Sequence, residues 1–241
     1  MIGGVAAFAG MVATPLASRG STDRAVLAWV VVVGLFCVSL AVAAGLCGWR
    51  RATLAVAATV AMTVVVEALG TRTGIPFGRY DYTDALGPRV ALVPMVVPMA
   101  WFAMALPARE VAVALVGPTG RPWSRLVVGA VALTAWDLFL DPQMVGEGYW
   151  IWPGGGVYRG IPLSNFAGWL LISAVVMALL ERMVPPSRVS RIAVAQYASV
   201  AVMQTVGFAV FFDDTLVAAV GGVTMVPIAV AAVVRIARFR S

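Results

Sequence analysis

Apolar residues run in blocks of roughly twenty along most of the chain, separated by short clusters of Arg, Asp, Pro and Gly. An α-helix needs about 20 such residues to cross a ~30 Å hydrocarbon layer. The blocks fall at 2–17, 25–48, 52–70, 90–107, 124–141, 166–181, 192–211 and 215–234. The pattern predicts an all-α, polytopic integral membrane bundle of about eight transmembrane helices, seven if the first run is not a span. It fills residues 1–241 as a single membrane domain. The first run is short and lacks charge at its start. It reads as a retained helix, because a signal peptide would carry a basic region before the apolar stretch. Pro94 and Pro98 inside the fourth run predict a kink or a locally open backbone. No internal repeat supports an inverted-repeat transporter.

Composition removes whole classes of chemistry. Apolar types make up 61% of the chain and charged types 12%, with a mean hydropathy of +0.95; a soluble domain carries about 25% charged residues. There is no room for a separate soluble domain. Lysine and histidine are absent, so all 17 basic residues are arginine. A Schiff-base cofactor and an imidazole base, shuttle or metal ligand are excluded. Acid–base work falls to 11 carboxylates and to hydroxyls. Cys37 and Cys47 lie ten residues apart in one apolar run, off a shared helix face, and read as packing residues. The net charge of +6 points to loops beside anionic lipid, not to nucleic acid.

Charge also orients the chain. Calling the side of the N-terminus A, the segments 49–51, 108–125, 182–191 and 235–241 carry 11 arginines against six on side B. The positive-inside rule places side A, with both termini, in the cytoplasm, as expected of a multi-pass protein of the cell membrane. The acids run the other way. Side A has Glu110 and Glu181, side B the remaining nine.

Three acidic places stand at or inside span ends, all on side B. Glu67 is embedded in Val64-Val65-Val66-Glu67-Ala68-Leu69. An acid held in hydrocarbon is unfavourable by several kcal/mol and marks a functional position; a structural ion pair with Arg72 is the plain alternative. Asp137 and Asp141 are four apart and share a helix face, and Pro142 is expected to stop the helix there. Two carboxyls at the negative end of a helix favour a carboxyl that keeps its proton, which a general acid requires. The alternative is an outward, solvated pair. Asp213-Asp214 reads as a helix-end signal. Two long side-B connections rich in Gly, Pro and aromatics, 70–82 and 146–166, suit ordered, cap-like loops. An interfacial belt is the alternative for Trp150, Trp152 and Trp169.

These loops carry a resemblance. The run Glu67-Ala68-Leu69-Gly70-Thr71-Arg72-Thr73-Gly74-Ile75-Pro76-Phe77-Gly78-Arg79-Tyr80-Asp81-Tyr82 resembles the first signature of the membrane carotenoid-biosynthesis hydratases. So do Leu86-Gly87-Pro88, Val93-Pro94 and Pro98-Met99-Ala100-Trp101. The stretch from Asp137 to Asp141-Pro142, then Gly148 to Trp152 and Tyr158 to Trp169, is similar to the second. The family includes acyclic carotenoid 1,2-hydratases and bisanhydrobacterioruberin hydratases. The resemblance is close over residues 60–170 and elsewhere rests on hydropathy alone.

The resemblance implies cofactor-free, metal-free addition of water across the terminal C1=C2 bond of an acyclic carotenoid end group, giving a tertiary alcohol. The partners it implies are a C40 or C50 carotenoid, the bilayer and other carotenoid-pathway enzymes. Such chemistry needs an acid, a cation-tolerant pocket and a positioned water. Asp141 or Glu67 can donate the proton, and Asp137 can orient water and take up its proton, with Asp81 a further acidic candidate. Trp101, Trp136, Trp150 and Phe77 can face the developing cation. Tyr80, Tyr82, Tyr158 and Asn165 can hold the water, and Trp152 and Arg72 complete the expected binding set. The reacting end is expected near the outer leaflet. A prenyltransferase or elongase, a lycopene cyclase, and a pigment-binding protein or transporter are the competing readings. Asp137-X3-Asp141 matches half of a magnesium–diphosphate site, but the second, Asn-led motif is missing.

Overall fold

The computed structural model describes residues 2–238. Met1, Ser241 and Arg240, which were assigned above to side A, lie outside the described residues. Eight α-helices carry the rest: α1 Ile2–Ala13, α2 Thr22–Cys47, α3 Trp49–Thr73, α4 Val96–Val116, α5 Pro122–Gly146, α6 Leu163–Met183, α7 Arg191–Val206 and α8 Thr215–Arg238. A five-residue π-turn, Gly207–Phe211, prolongs α7. Four two-residue strands lie in the connections: β1 Asp81–Tyr82, β2 Arg89–Val90, β3 Val93–Pro94 and β4 Trp150–Ile151. The described helices α2 to α8, with α7 taken through Phe211, are long and apolar enough to cross a membrane. The protein is an all-α polytopic membrane bundle.

α1 is the exception. Its 12 residues rise about 18 Å, little more than half a bilayer core. It ends where Thr14-Pro15-Leu16 tightens into a 3₁₀ turn. It then doubles back on α2, with Gly10 against Val30 and Val31 and Gly3 against Gly34 and Cys37. A Cβ on Gly34 would stand 2.5 Å from the Gly3 carbonyl, so only glycine admits this approach. The first apolar run therefore forms a half-length helix against α2, and seven spans make the bundle.

α4 is the central helix. It touches α2, α3, α5, α6, α7 and α8, and 83% of its apolar window is buried against 28–50% for the others. Its limits differ from the hydropathy reading of 90–107. Pro94 lies in the β2–β3 hairpin. Pro98 is the third residue of α4, where its missing N–H has no partner to lose. Neither proline kinks the helix. At the other end α4 runs on through Arg109 and Glu110, which charge alone had assigned to a loop. They are 2% and 0% exposed and paired with each other. The Glu110 carboxylate accepts from Ser190 N at 2.7 Å, and Arg109 donates to the Val184 carbonyl at 2.5 Å. Arg125 pairs with Glu181 and donates to the carbonyls of Gly117, Pro118 and Gly120, just past the end of α4. Buried charges persist when each is paired and hydrogen-bonded; here they interrupt the hydropathy but not the helix. With Arg24, Arg109 and Arg125 set aside as buried, side A still leads by nine arginines to five.

Of the three prolines inside helices, Pro107, Pro142 and Pro227, the first two free a carbonyl one turn back that side chains from elsewhere take. Pro107 releases Ala103 O, which accepts from Ser39 Oγ and Gln196 Nε2, each at 2.8 Å. Pro142 releases Leu138 O, which accepts from the Tyr158 hydroxyl at 2.9 Å. With that carbonyl satisfied α5 does not stop at Asp141, as Pro142 led one to expect, but continues to Gly146. Removing both donors to Ala103, by Ser39→Ala with Gln196→Leu, is expected to destabilise the protein by about 1–3 kcal/mol, with smaller losses in each single variant. The check is the unfolding midpoint of the detergent-solubilised protein. An unchanged double variant would refute this account of the Pro107 break.

On side B the connections are woven together. β1 pairs antiparallel with β4, matching Tyr82 to Trp150. Trp152 Nε1 donates to Phe77 O at 3.1 Å. Gly168 of α6 lies so close to this layer that a Cβ would meet Pro76 O at 2.8 Å. The two Gly- and aromatic-rich connections thus form one ordered cap. Asp214 caps α8 through Val217 N at 3.0 Å and pairs with Arg159 at 2.7 Å, the helix-end role read from Asp213-Asp214.

Candidate active site

Glu67 sits near the side-B end of α3, buried. Its carboxylate accepts from the Tyr80 hydroxyl, from the Tyr82 hydroxyl at 2.8 Å and from Trp101 Nε1 at 2.8 Å. The cap supplies the tyrosines and the central helix the tryptophan. Arg72 does not form the alternative ion pair: it is exposed on the last turn of α3. Burial first, then the neighbouring Glu67 carboxylate, pushes both phenols well above the ordinary tyrosine range. Both hydroxyls therefore keep their protons and can donate them to the carboxylate.

Asp141 faces Glu67 from α5 across the same space. Its carboxylate accepts from Trp150 Nε1 at 3.1 Å and from Asn165 Nδ2 of α6. The same Asn165 amide donates to Asp137 at 3.1 Å. One amide thus holds two carboxyls of successive helical turns side by side, and Asp137 is fully buried behind Asp141.

The carboxylates open on a cavity of about 370 Å³. Its wall is aromatic. Trp101 and Trp169 stack with ring centroids 3.9 Å apart, and Trp136 meets Trp169 edge-on at 6.1 Å. Tyr80 packs between Trp152 and Tyr82 at 5.5 and 5.3 Å. Aliphatic side chains complete part of the lining, with Met11 of α1, Val31 and Leu35 of α2, and Val200 and Met203 of α7.

The structure brings Glu67, Phe77, Tyr80, Tyr82, Trp101, Trp136, Asp141, Trp150, Trp152 and Asn165 to one cavity. It does not bring the others. Asp81 is exposed because side chains alternate along β1: Tyr82 points in, so Asp81 points out. Tyr158 is taken up by Leu138 O. Asp137 touches the cavity only through Asp141. The buried Trp150, Trp152 and Trp169 are walls and not an interfacial belt. Sequence reasoning missed Trp169 as a wall residue. It also missed the group Arg24, Gln143, Glu147, Tyr149 and Gln204, which lines the far side. The spacing of Gln143 and Glu147 was the available signal.

A seven-span bundle enclosing a cavity lined by carboxylates and tryptophans defines a class of polytopic membrane protein with acid groups gathered in a largely apolar pocket. Residues 26–237 match the family described as carotenoid biosynthesis protein, and the chain belongs to that family. It is similar to the bisanhydrobacterioruberin hydratase of Haloarcula japonica, with 34% identity over 155 residues, 63% of this chain. The match spans about half, 53%, of that relative's length. No solved structure matches the chain.

Proposed function

We propose that this protein is a carotenoid hydratase of the cell membrane that adds water to the terminal double bond of an acyclic end group. The observation that carries this reading is the placement of Asp141 and Glu67 on one cavity walled by Trp101, Trp136 and Trp169. Membership of the family and the likeness to a named hydratase support it.

Asp141, sharing a proton with Asp137, donates it to the less substituted alkene carbon. The π electrons form the new C–H bond and leave a tertiary cation on the other carbon. The tryptophan faces stabilise that cation. Water held at Glu67 adds through oxygen, and Glu67 takes its proton. Return of that proton to Asp141 through water in the cavity closes the cycle, with no net change in the protein. Asp137 is a positioning residue in this scheme, because it does not line the cavity. A cavity of this size holds the end group of a carotenoid and not its polyene. The aliphatic lining contributed by α1, α2 and α7 is the path we assign to the tail.

Membranes containing the protein, supplied with lycopene in ¹⁸O-labelled water, test the reaction. A pigment heavier by one labelled water per hydrated end is expected in mass spectra. Pigment of unchanged mass would overturn the proposal.

A further inference from the structure

Most residues that line the cavity are buried or half-buried. Among the described lining residues the exposed ones are Val12 at 48%, Val206 at 44% and Phe211 at 56%. All three are apolar. Val12 lies in the last turn of α1, Val206 at the end of α7 and Phe211 on the π-turn that follows. Exposed apolar side chains on a membrane bundle face lipid. The cap differs: its lining residues Phe77, Tyr80, Trp150 and Trp152 are buried. The cavity therefore opens sideways, into the side-B leaflet, and not through the cap.

The local packing holds this window open to lipid and shut to water. α2 and α7 meet where Gln196 Nε2 donates to Ser39 Oγ at 3.1 Å and to Leu35 O at 3.4 Å. Further towards side B the cavity lies between them, lined by Val31 and Val32 of α2 and by Val200 and Met203 of α7. α1 stays packed on α2 through its glycines. The π-turn winds the end of α7 wider than an α-helical turn. Phe212 turns inward there, edge-on to Phe208 at 5.2 Å and under the Arg24 guanidinium at 5.3 Å, while Phe211 faces out. Towards the water, the segment after α1 forms a polar lintel. Gly20 N donates to Glu147 Oε2 at 2.9 Å, Arg24 Nε donates to Ala17 O at 2.9 Å, and Arg19 donates to Phe212 O. Arg24 is also paired with Glu147. These bonds tie the lintel across to the end of α5 and to the end of the π-turn.

We infer that the pigment enters from the side-B leaflet, end group first, through the window between α1 and the π-turn of α7, and that its polyene stays in the bilayer while the end group is inside. This rests on the hydratase reading for the identity of the ligand. The cavity has room for an end group alone, so the rest of the chain must leave it somewhere. An opening framed by Val12, Val206 and Phe211 presents no polar group that an apolar chain would have to desolvate. The lintel and the cap keep the same chain from crossing water on its way to the acids.

Photo-crosslinking in the full-length protein tests the route without relying on turnover. A diazirine-bearing residue replaces Val12, Val206 or Phe211 in turn, so that one badly folded variant decides nothing by itself. Leu171 of α6 and Val223 of α8, exposed but not lining the cavity, are the controls. Each protein is placed in phosphatidylcholine nanodiscs with lycopene and illuminated, and intact-mass spectra count pigment and phospholipid adducts. A chain held in the window has a far higher effective concentration there than free pigment has elsewhere in the disc, so pigment adducts are expected about tenfold more often at the window than at the controls. Equal yields at window and control positions would overturn the inference. So would phospholipid in place of pigment at the window, or no pigment adduct there. Hydration of lycopene by wild-type protein in the same discs reports the reaction separately: window adducts without hydration would overturn the reaction and leave the route standing.

Discussion

Asp141→Asn is expected to reduce hydration by about a thousandfold or more, within the range that general acids contribute. Asparagine keeps the shape, and its carbonyl oxygen can still accept from Trp150. What it loses is a proton to give and a carboxyl to share one with Asp137. Pigment binding should therefore persist while turnover disappears. Initial rates on lycopene, at equal amounts of inserted protein, are the measurement. Activity within tenfold of the wild type would remove Asp141 from the acid role.

Glu67→Ala is the second large effect, expected at about a hundredfold to ten-thousandfold. Three donors, Tyr80, Tyr82 and Trp101, converge on this carboxylate, so its removal leaves a small anion-sized space lined by donors. Added formate should occupy that space and restore part of the rate. Formate should do nothing for Asp141→Asn, where the side chain still fills its site. A purely structural role for Glu67 predicts lost folding with no rescue, and that result would defeat the water-activating assignment.

How far the sequence alone reaches is clear from particular residues. Six of the seven spans follow hydropathy closely, because lipid-facing helices must be apolar whatever they pack against. α4 departs from the reading because its surroundings are protein: the partners that let Arg109 and Glu110 stay buried come from 75 to 80 residues away in sequence. The acids Glu67 and Asp141 were readable as charges standing in apolar runs. Asp81 and Tyr82 were not separable, since a strand of two residues has no visible alternation. Gln143 and Gln204 were invisible for another reason. Neutral polar residues do not mark a site within a helix, and only the hydrogen bond between α5 and α7 shows what they face.

The bond from Tyr158 to Leu138 O changes how experiments on this loop should be interpreted. That hydroxyl mends the helical ladder one turn before Asp141, at the break made by Pro142. Its removal would tilt the acid without touching substrate or water. A mutational survey scored only by product formed would count Tyr158 among the chemical groups, although its work is done on the backbone that carries them.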